Sequence, residues 1–180
     1  ASGIQEVHPA IAVRGKHVYM AWIEDTSSQD RVMMRSFAID GTPLQTVPVD
    51  ITPQQGGVAI SGLFNELDLA ALPGDEAAIA VSHYSTPASA FQVSIQRVDS
   101  MGNLLGMPME PIEEKGVSQT RPSITALTDG TIYVSWSRYK PADTNAGTPE
   151  EPNRVVYTRF APGASEAESG GPFPAQPGSS

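Results

Sequence analysis

The chain has 180 residues, a formal net charge of −9 from 11 basic and 20 acidic side chains, and no cysteine. Its length suffices for one domain with a sizeable core, and no apolar run reaches the roughly 18 residues that a membrane-spanning helix needs. An acidic surface repels phosphate backbones, which argues against nucleic acid as a partner. A chain without cysteine has neither disulfides nor a thiol nucleophile.

The first unit of the chain begins after a lead-in of residues 1–7. Residues 8–22 read HPAIAVRGKHVYMAW, which predicts a strand, a glycine turn and a second strand. In the second strand Val18, Met20 and Trp22 share one face, and a period of two is typical of β-structure.

The rest of this unit is predicted as a hairpin. Residues 31–39 form a third apolar segment, and Asp40 and Gly41 follow it. An Asp-Gly pair between apolar segments indicates a tight turn, because glycine tolerates the positive φ that such turns require. Residues 44–51 are predicted as a fourth strand.

The same pattern occurs twice more, as ELDLAALPGDEAAIAV at 66–81 and RPSITALTDGTIYVSW at 121–136. Equivalent residues are Ile11, Leu69 and Ile124 in the first strands and Gly41, Gly102 and Gly163 after the third strands. Internal repetition is the strongest guide to architecture. It predicts an all-β domain at 8–163 with three units, at about 8–56, 66–115 and 121–163.

The third unit is predicted to lack a fourth strand. After Gly163 the chain continues as a Gly/Pro/Ser-rich tail, residues 164–180, with few large apolar residues. Such a composition cannot bury enough apolar surface to fold by itself.

The units resemble the β-propeller blades of large secreted bacterial proteins, whose repeat runs Pro-x-Ile-Ala, Gly, Val-x-Trp, a strand that ends in Arg-Phe, and Asp-x-x-Gly. They are more distantly similar to sialidase-like propellers. The resemblance covers residues 8–163 and implies four-stranded antiparallel blades. A β-sandwich built from the same strands is the alternative. Repeated packing and turn residues say little about activity.

The sialidase motifs are not matched. The Asp-box pattern Ser-x-Asp-x-Gly-x-x-Trp has no equivalent, since residues 128–131 lack the spacer between Asp129 and Gly130 and Trp136 lies too far along. The arginine triad and the Tyr/Glu nucleophile pair have no matching positions either. No catalytic residue is therefore assigned.

The number of units has a consequence for association. Closed propellers have about 4–8 blades, and this chain supplies two complete units and most of a third. An open wedge exposes sheet faces and a strand edge that invite pairing. We expect a partial propeller that is completed by a protein partner or by a second copy.

Candidate binding residues lie in the loops after the second strand of each unit, at 24–30, 83–90 and 138–153. Equivalent loops emerge on the same side of a repeat fold, where binding is commonly found. The third loop is the longest, and it can also be a tolerated insertion. The predicted partner-binding residues are Tyr139, Lys140, Asp143, Asn145, Glu150 and Glu151, with Phe173 in the tail.

The acidic and histidine side chains have metal-binding and catalytic roles as alternatives to structural ones. Calcium takes six to eight oxygen ligands, but no D-x-D-x-D spacing gathers Asp25, Asp30, Asp40, Asp99, Asp129 and Asp143, so turn capping is expected. The histidines His8, His17 and His83 lack metal-ligand spacing and are expected at partly exposed strand ends. Ser82, His83 and Asp129 suggest a triad, but no G-x-S-x-G turn presents a nucleophile. No cofactor is predicted, with calcium as the alternative.

Other side chains have mainly structural interpretations. Trp22 and Trp136 occupy equivalent positions and are interpreted as core residues. The tyrosines suited to sugar stacking are Tyr84, Tyr133 and Tyr139. Arg97 and Arg159 also occupy equivalent positions and are expected to be solvated or paired across strands.

The favoured functional hypothesis is a non-catalytic interaction and scaffolding module, an accessory subunit of an extracytoplasmic assembly of bacterial type. The alternatives are a lectin-like carbohydrate-binding domain and a sialidase-like glycoside hydrolase, which needs two carboxyl groups about 5–9 Å apart. The sequence begins Ala-Ser-Gly without methionine, as expected after signal-peptide removal, and this favours a periplasmic or secreted location.

Overall fold

A computed structural model describes residues 5–26, 29–55, 58–60, 62–111, 115–142 and 149–172 of the protein. All regular elements in these ranges are β-strands. Within the same ranges, no segment is a helix that is long and apolar enough to cross a membrane.

Three four-stranded antiparallel sheets follow one another along the chain. The first blade comprises β1 (Gln5–Arg14), β2 (His17–Asp25), β3 (Arg31–Ala38) and β4 (Val49–Asp50). A small hairpin of β5 (Gln54–Gln55) and β6 (Val58–Ala59) leads to the second blade, which comprises β7 (Phe64–Leu72), β8 (Glu76–Ser85), β9 (Ala90–Asp99) and β10 (Leu104–Met109). The third blade comprises β11 (Ser118–Ala126), β12 (Ile132–Lys140), β13 (Glu151–Phe160) and β14 (Glu168–Pro172).

The blades are arranged around their first strands. In each sheet the strands keep their sequence order from the first to the fourth. β7 contacts both β1 and β11, so the first strands are neighbours and form the inner side of the wedge. This radial arrangement confirms the all-β prediction of a partial propeller.

Two hydrophobic cores fill the spaces between the blades, and β8 serves both. Its side chains Ala77, Ile79 and Val81 pack toward the first blade, whereas Ala78 and Ala80 pack toward the third. Alternation along a strand points successive side chains to opposite faces. Small residues on the second face let the third blade approach closely.

The other two blades complete these cores. From the first blade, Tyr19, Ala21 and Ile23 of β2 enter the first core. From the third blade, Ile132, Val134 and Trp136 of β12 enter the second core. We call the face of a blade that points toward the preceding unit its front face and the opposite one its back face; only the second blade has both faces covered by described blades.

Several predicted boundaries were wrong. The lead-in is too long, since β1 already begins at Gln5. In the first blade the fourth strand is reduced to β4, because only Val49 and Asp50 pair with β3 as a strand. The tail does contribute a fourth strand to the third blade: Glu168 of β14 pairs with Arg159 of β13. Residues 173–180 lie outside the described residues.

Candidate functional site

One end of the blades collects the loops and the starts of the inner strands, and we call it the top end. There Gln5 pairs with Asp25, and Ser118 pairs with Tyr139. In each blade the second strand therefore ends where the first strand begins, and the loop to the third strand lies at that end. The candidate binding loops thus lie at the same end as the starts of β1, β7 and β11.

The start of each inner strand is irregular. Pairing shifts between Val7 and Ala10 in β1 and between Thr120 and Ser123 in β11, and a similar shift occurs in β7. At these shifts His8 has φ 52° and Arg121 has φ 54°. Each precedes a proline, which disfavours helical backbone in the residue before it. Such strained positions cost about 1–3 kcal/mol each and cluster at functional sites.

Three polar side chains lie near the starts of the three inner strands. In sequence, His8, Glu66 and Arg121 each lie three residues before the equivalent residues Ile11, Leu69 and Ile124. His8 and Arg121 fall within the pairing shifts of β1 and β11, whereas Glu66 pairs with Ser82. We call them the axial cluster.

Glu66 and Arg121 connect the second blade to the third. The backbone N–H of Arg121 donates to Glu66 Oε2 at 2.5 Å, and Arg121 Nε lies 4.0 Å from Glu66 Oε1. The side chain of Arg121 is 79% exposed and that of Glu66 is 29% exposed. An ion pair this long and exposed is weak, so the guanidinium group can bind a ligand without breaking a strong contact.

Asp68, next on the same strand, has a structural role. Its Oδ2 accepts hydrogen bonds from the Ile124 N–H at 2.9 Å and from the Ser123 hydroxyl at 3.1 Å, and its Oδ1 accepts from the Leu69 N–H at 2.8 Å. Both carboxylate oxygens are thus engaged: Oδ2 fixes β7 against β11, and Oδ1 is bonded within β7. This residue holds the inner strands together below the axial cluster.

The opposite end of the axis is bridged by Arg14. Its Nη1 donates to the carbonyl of Leu127 at 3.2 Å, and its Nη2 donates to that of Thr128 at 3.1 Å. Nη1 also lies 3.5 Å from the carbonyl oxygen of Ala71. One side chain of the first blade thus reaches the second and third blades.

The predicted partner-binding residues that the structure describes lie near the top end, but several belong to strands and not to a loop. Tyr139 and Lys140 belong to β12 and Glu151 belongs to β13, whereas Glu150 is exposed in the connection. Their side chains are partly used within the blade: Lys140 Nζ lies 3.4 Å from Glu151 Oε1. Asp143, Asn145 and Phe173 lie outside the described residues. A binding role for this set stays a prediction.

The neighbouring Arg138 reinforces the same pair of strands. Its Nη1 donates to Glu151 Oε2 at 2.6 Å. This hydrogen bond, with the positive charges of Arg138 and Lys140, lowers the pKa of Glu151. The predicted loop 138–153 is therefore shorter than expected and begins after Lys140.

The histidines differ from the expectation in one case. His83 is buried, with Nε2 2.8 Å from Ser94 Oγ, so its prediction as a partly exposed residue was wrong. His17 Nδ1 lies 2.9 Å from Asp75 Oδ1, and His8 is exposed in the axial cluster. His83 is buried because β8 is covered on both faces, so that a side chain pointing to either face is shielded from solvent.

The triad of Ser82, His83 and Asp129 does not form. The Ser82 hydroxyl donates to the carbonyl of Gln119 at 2.8 Å, and Asp129 accepts from the Thr131 N–H at 2.8 Å within a turn. Among the described residues, no group of three or more His, Asp or Glu side chains could hold a metal ion. Asp143, one of the calcium candidates, lies outside those ranges.

The equivalent tryptophans have different surroundings. Trp136 is 5% exposed in the second core, as predicted. Trp22 is only half-buried and lines a groove of about 430 Å³ on the front face of the first blade, together with Met20, Arg35 and Phe37. The core interpretation of Trp22 was wrong for this chain by itself, because the first blade has no preceding blade among the described residues.

The aligned arginines are paired across strands, as one of the two expectations stated. Arg97 Nη2 lies 2.5 Å from Glu76 Oε2, and Arg159 Nη1 lies 2.7 Å from Glu168 Oε2. The partner of Arg159 belongs to the stretch that was interpreted as an unstructured tail. This pair therefore helps to fix β14 on the blade.

Comparison with known proteins supports the fold. No protein-family model matches the sequence, and a search of curated proteins gives no match. Solved structures do match. An α-L-arabinofuranosidase of Fusarium graminearum, in complex with an iminosugar inhibitor, is similar with a TM-score of 0.59 and 13% identity, over 96% of this chain and 51% of that one.

Two further structures have the same kind of fold. An α-L-arabinofuranosidase of Podospora anserina, in complex with cellotriose, gives a TM-score of 0.52 and 11% identity over 88% of this chain and 55% of that one. An endo-arabinase of Bacteroides thetaiotaomicron gives a TM-score of 0.51 and 14% identity over 94% of this chain and 75% of that one. The chain thus spans about half the length of the two arabinofuranosidases.

These similarities correct the favoured functional hypothesis. These three structures are glycoside hydrolases, which contradicts the expectation of a non-catalytic scaffolding module and agrees better with the carbohydrate-related alternatives. At such low identity the likeness establishes the architecture alone. The chain has a propeller-like fold of the kind seen in these two arabinofuranosidases and this endo-arabinase.

Proposed function

We propose that this chain binds a neutral, arabinose-containing polysaccharide at the top end of its blades, through the axial cluster. The observation that carries the proposal is that His8, Glu66 and Arg121 lie near the starts of three adjacent inner strands, where Arg121 contacts Glu66. Two of the three, His8 and Arg121, have a positive φ, which is strained for residues other than glycine. Structural similarity to arabinofuranosidases and an endo-arabinase supports the choice of sugar.

The chemistry of the axial cluster suits sugar hydroxyl groups. A guanidinium group supplies several donors, a carboxylate supplies acceptors, and an imidazole can supply either. In Glu66, Oε2 is already bonded to the Arg121 N–H. Its Oε1 and the exposed Arg121 side chain remain for a ligand, as a donor and acceptor pair that matches vicinal hydroxyls.

The charge of the chain favours a neutral glycan. With a formal charge of −9 the surface repels polyanions, which opposes acidic polysaccharides at low salt. Arabinan and arabinoxylan backbones carry no such charge. Polysaccharides of this kind are met outside the cytoplasm, so an extracytoplasmic location belongs to the same proposal.

Binding is favoured over hydrolysis by the state of the carboxylates. Glycoside hydrolysis uses two carboxyl groups that flank the scissile bond. In this chain Asp68, the carboxylate nearest in sequence to Glu66, is held at both oxygens by β7 and β11. A single partly free carboxylate in the axial cluster fits recognition better than acid–base chemistry.

The proposal is tested by isothermal titration calorimetry with arabinan and arabinoxylan, and with a cellulose oligosaccharide for comparison. We expect saturable binding of an arabinose-containing glycan, and a loss of affinity of about tenfold or more in both Glu66→Gln and Arg121→Gln, since each removes a charged hydrogen bond worth about 1.5–3 kcal/mol. Lys16→Gln, an exposed substitution at the opposite end, is the matched control.

Two results would contradict the proposal. Absence of binding to either glycan would remove its substrate class. Equal affinity of the two axial variants and the wild type would place the site elsewhere. Release of reducing sugar during the titration would instead assign a hydrolase, and the same variants would then be assayed for rate.

A further inference from the structure

The front face of the first blade is an uncovered copy of a surface that is buried elsewhere in this chain. It carries Ile11 and Val13 from β1, and Met20 and Trp22 from β2. Ile11 is 63% exposed and Met20 is 37% exposed. A contiguous apolar surface of this kind marks an interaction site.

The equivalent side chains of the third blade show what covers such a face. Ile124, at the position of Ile11, is 7% exposed, and Val134, at the position of Met20, is 1% exposed. Pro122 is likewise buried, whereas Pro9 is exposed. In the third blade these side chains pack on the back face of the second blade. The chain therefore specifies a blade-to-blade packing surface at its first blade.

A second blade face without a covering blade is present on the same chain, among the residues that the structure describes. The back faces that are covered have a small residue at the centre of the second strand, Ala21 in the first blade and Ala80 in the second. At the equivalent place the third blade has Ser135, which pairs with Ser123 and Tyr157 of the adjacent strands. No described strand covers this back face, and Val155 on it is 52% exposed.

We infer that two copies of this chain associate head to tail, with the front face of each first blade against the back face of the other third blade. Each copy contributes three blades, so a pair has six, within the range of about 4–8 blades that closed propellers adopt. A two-fold axis along the propeller axis makes both junctions equivalent.

Association would bring two axial clusters around one axis at the top end. The inference does not depend on carbohydrate binding, because it rests on the packing surfaces alone.

The test is the mass of the 180-residue chain in solution, measured by sedimentation equilibrium over a range of concentrations. We expect twice the mass of one chain. Trp22→Arg on the front face and Ser135→Arg on the back face should each yield monomers, because either change disrupts both junctions. Met107→Arg, which places the same charge on an exposed outer strand, should stay dimeric.

Mixing the two variants distinguishes this arrangement from others. A Trp22→Arg copy retains an intact back face and a Ser135→Arg copy retains an intact front face, so their mixture should form a heterodimer with one unaltered junction. A monomeric wild type would overturn the inference. So would a dimer that tolerates Ser135→Arg, which indicates front-to-front pairing, or open-ended assembly beyond two copies. Thermal melting of each variant verifies that it is folded.

Discussion

Aspartate side chains have the same role in several turns between strands. Asp40 accepts a hydrogen bond from the Thr42 N–H at 2.9 Å, and Asp129 accepts one from the Thr131 N–H at 2.8 Å. These bonds lower the pKa of both carboxyl groups. The aspartates thus cap turns, as the sequence predicted from Asp-Gly pairs, because an ionised carboxylate is a good acceptor for nearby backbone donors.

Asp99 is the most extensively bonded of these turn residues. Partial burial raises its pKa, but hydrogen bonds from Asn103 and from the N–H of Met101 outweigh this effect, and the net pKa is lowered. Its Oδ1 accepts from the Met101 N–H at 2.8 Å and from the Asn103 N–H at 2.9 Å. The ionised form is therefore favoured in the folded state.

This gives the turn a defined dependence on pH. Because the folded-state pKa of Asp99 lies below its unfolded value near 3.8, its stabilisation is fully present above that pH and is lost as the pH falls through the folded-state pKa. We expect Asp99→Asn to reduce the fall of Tm between neutral and acid pH. Thermal melting at a series of pH values measures this. Asp25→Asn, at an exposed strand end, is the control, and an unchanged slope in Asp99→Asn would contradict the prediction.

The axial cluster shows the limit of sequence reasoning at this scale. His8 and Arg121 were visible as His-Pro and Arg-Pro at the start of equivalent strands, and Glu66 aligns with them. The missing signal was the positive φ at two of these positions. Backbone conformation at an irregular pairing depends on the partner strand, which the local residues do not specify.

Individual strands carry most of the stability of the wedge through their buried faces. β8 is covered on both sides, and β12 buries Ile132, Val134 and Trp136 on its front face. Their period-two pattern is what predicted these strands. β14 was missed because its sequence has no such pattern, and it forms by pairing with β13.

Trp136 provides the clearest test of blade packing. We expect Trp136→Ala to lower the free energy of unfolding by about 3–5 kcal/mol, since it removes a large buried ring and leaves a cavity. Urea denaturation followed by circular dichroism measures the change. Leu127→Ala, at a site 45% exposed, should change stability by less than about 0.5 kcal/mol. A small effect of Trp136→Ala would mean that the second and third blades do not pack as described.

At the scale of the whole molecule, polar bridges fix the blades relative to one another. The buried side chain of Asp30 accepts a hydrogen bond from the Phe64 N–H at 3.0 Å, which joins the first blade to the second. Asp68 joins the second blade to the third, and Arg14 reaches the third blade from the first. The three blades are thus joined by hydrogen bonds as well as by apolar contacts.

The Arg14 bridge can be tested by itself. We expect Arg14→Gln to lower the free energy of unfolding by about 1 kcal/mol, because it removes two charged hydrogen bonds to carbonyls at the exposed end of the axis. Chemical denaturation measures the loss. Arg154→Gln, an exposed substitution on β13, should leave stability unchanged. Equal stability of Arg14→Gln and the wild type would show that the bridge is not formed in solution.

The first three strands of each unit, the turns and the threefold repetition could be predicted from the amino-acid sequence, whereas the fourth strands were placed wrongly. The predicted features follow from neighbouring residues, since alternation sets a strand and an Asp-Gly pair sets a turn. Which faces are covered depends instead on contacts between blades. Trp22 and Trp136 have nearly the same local sequence, yet one lines an open groove and the other is buried. Burial, like the meeting of three inner strands at the axial cluster, depends on residues that are distant along the chain.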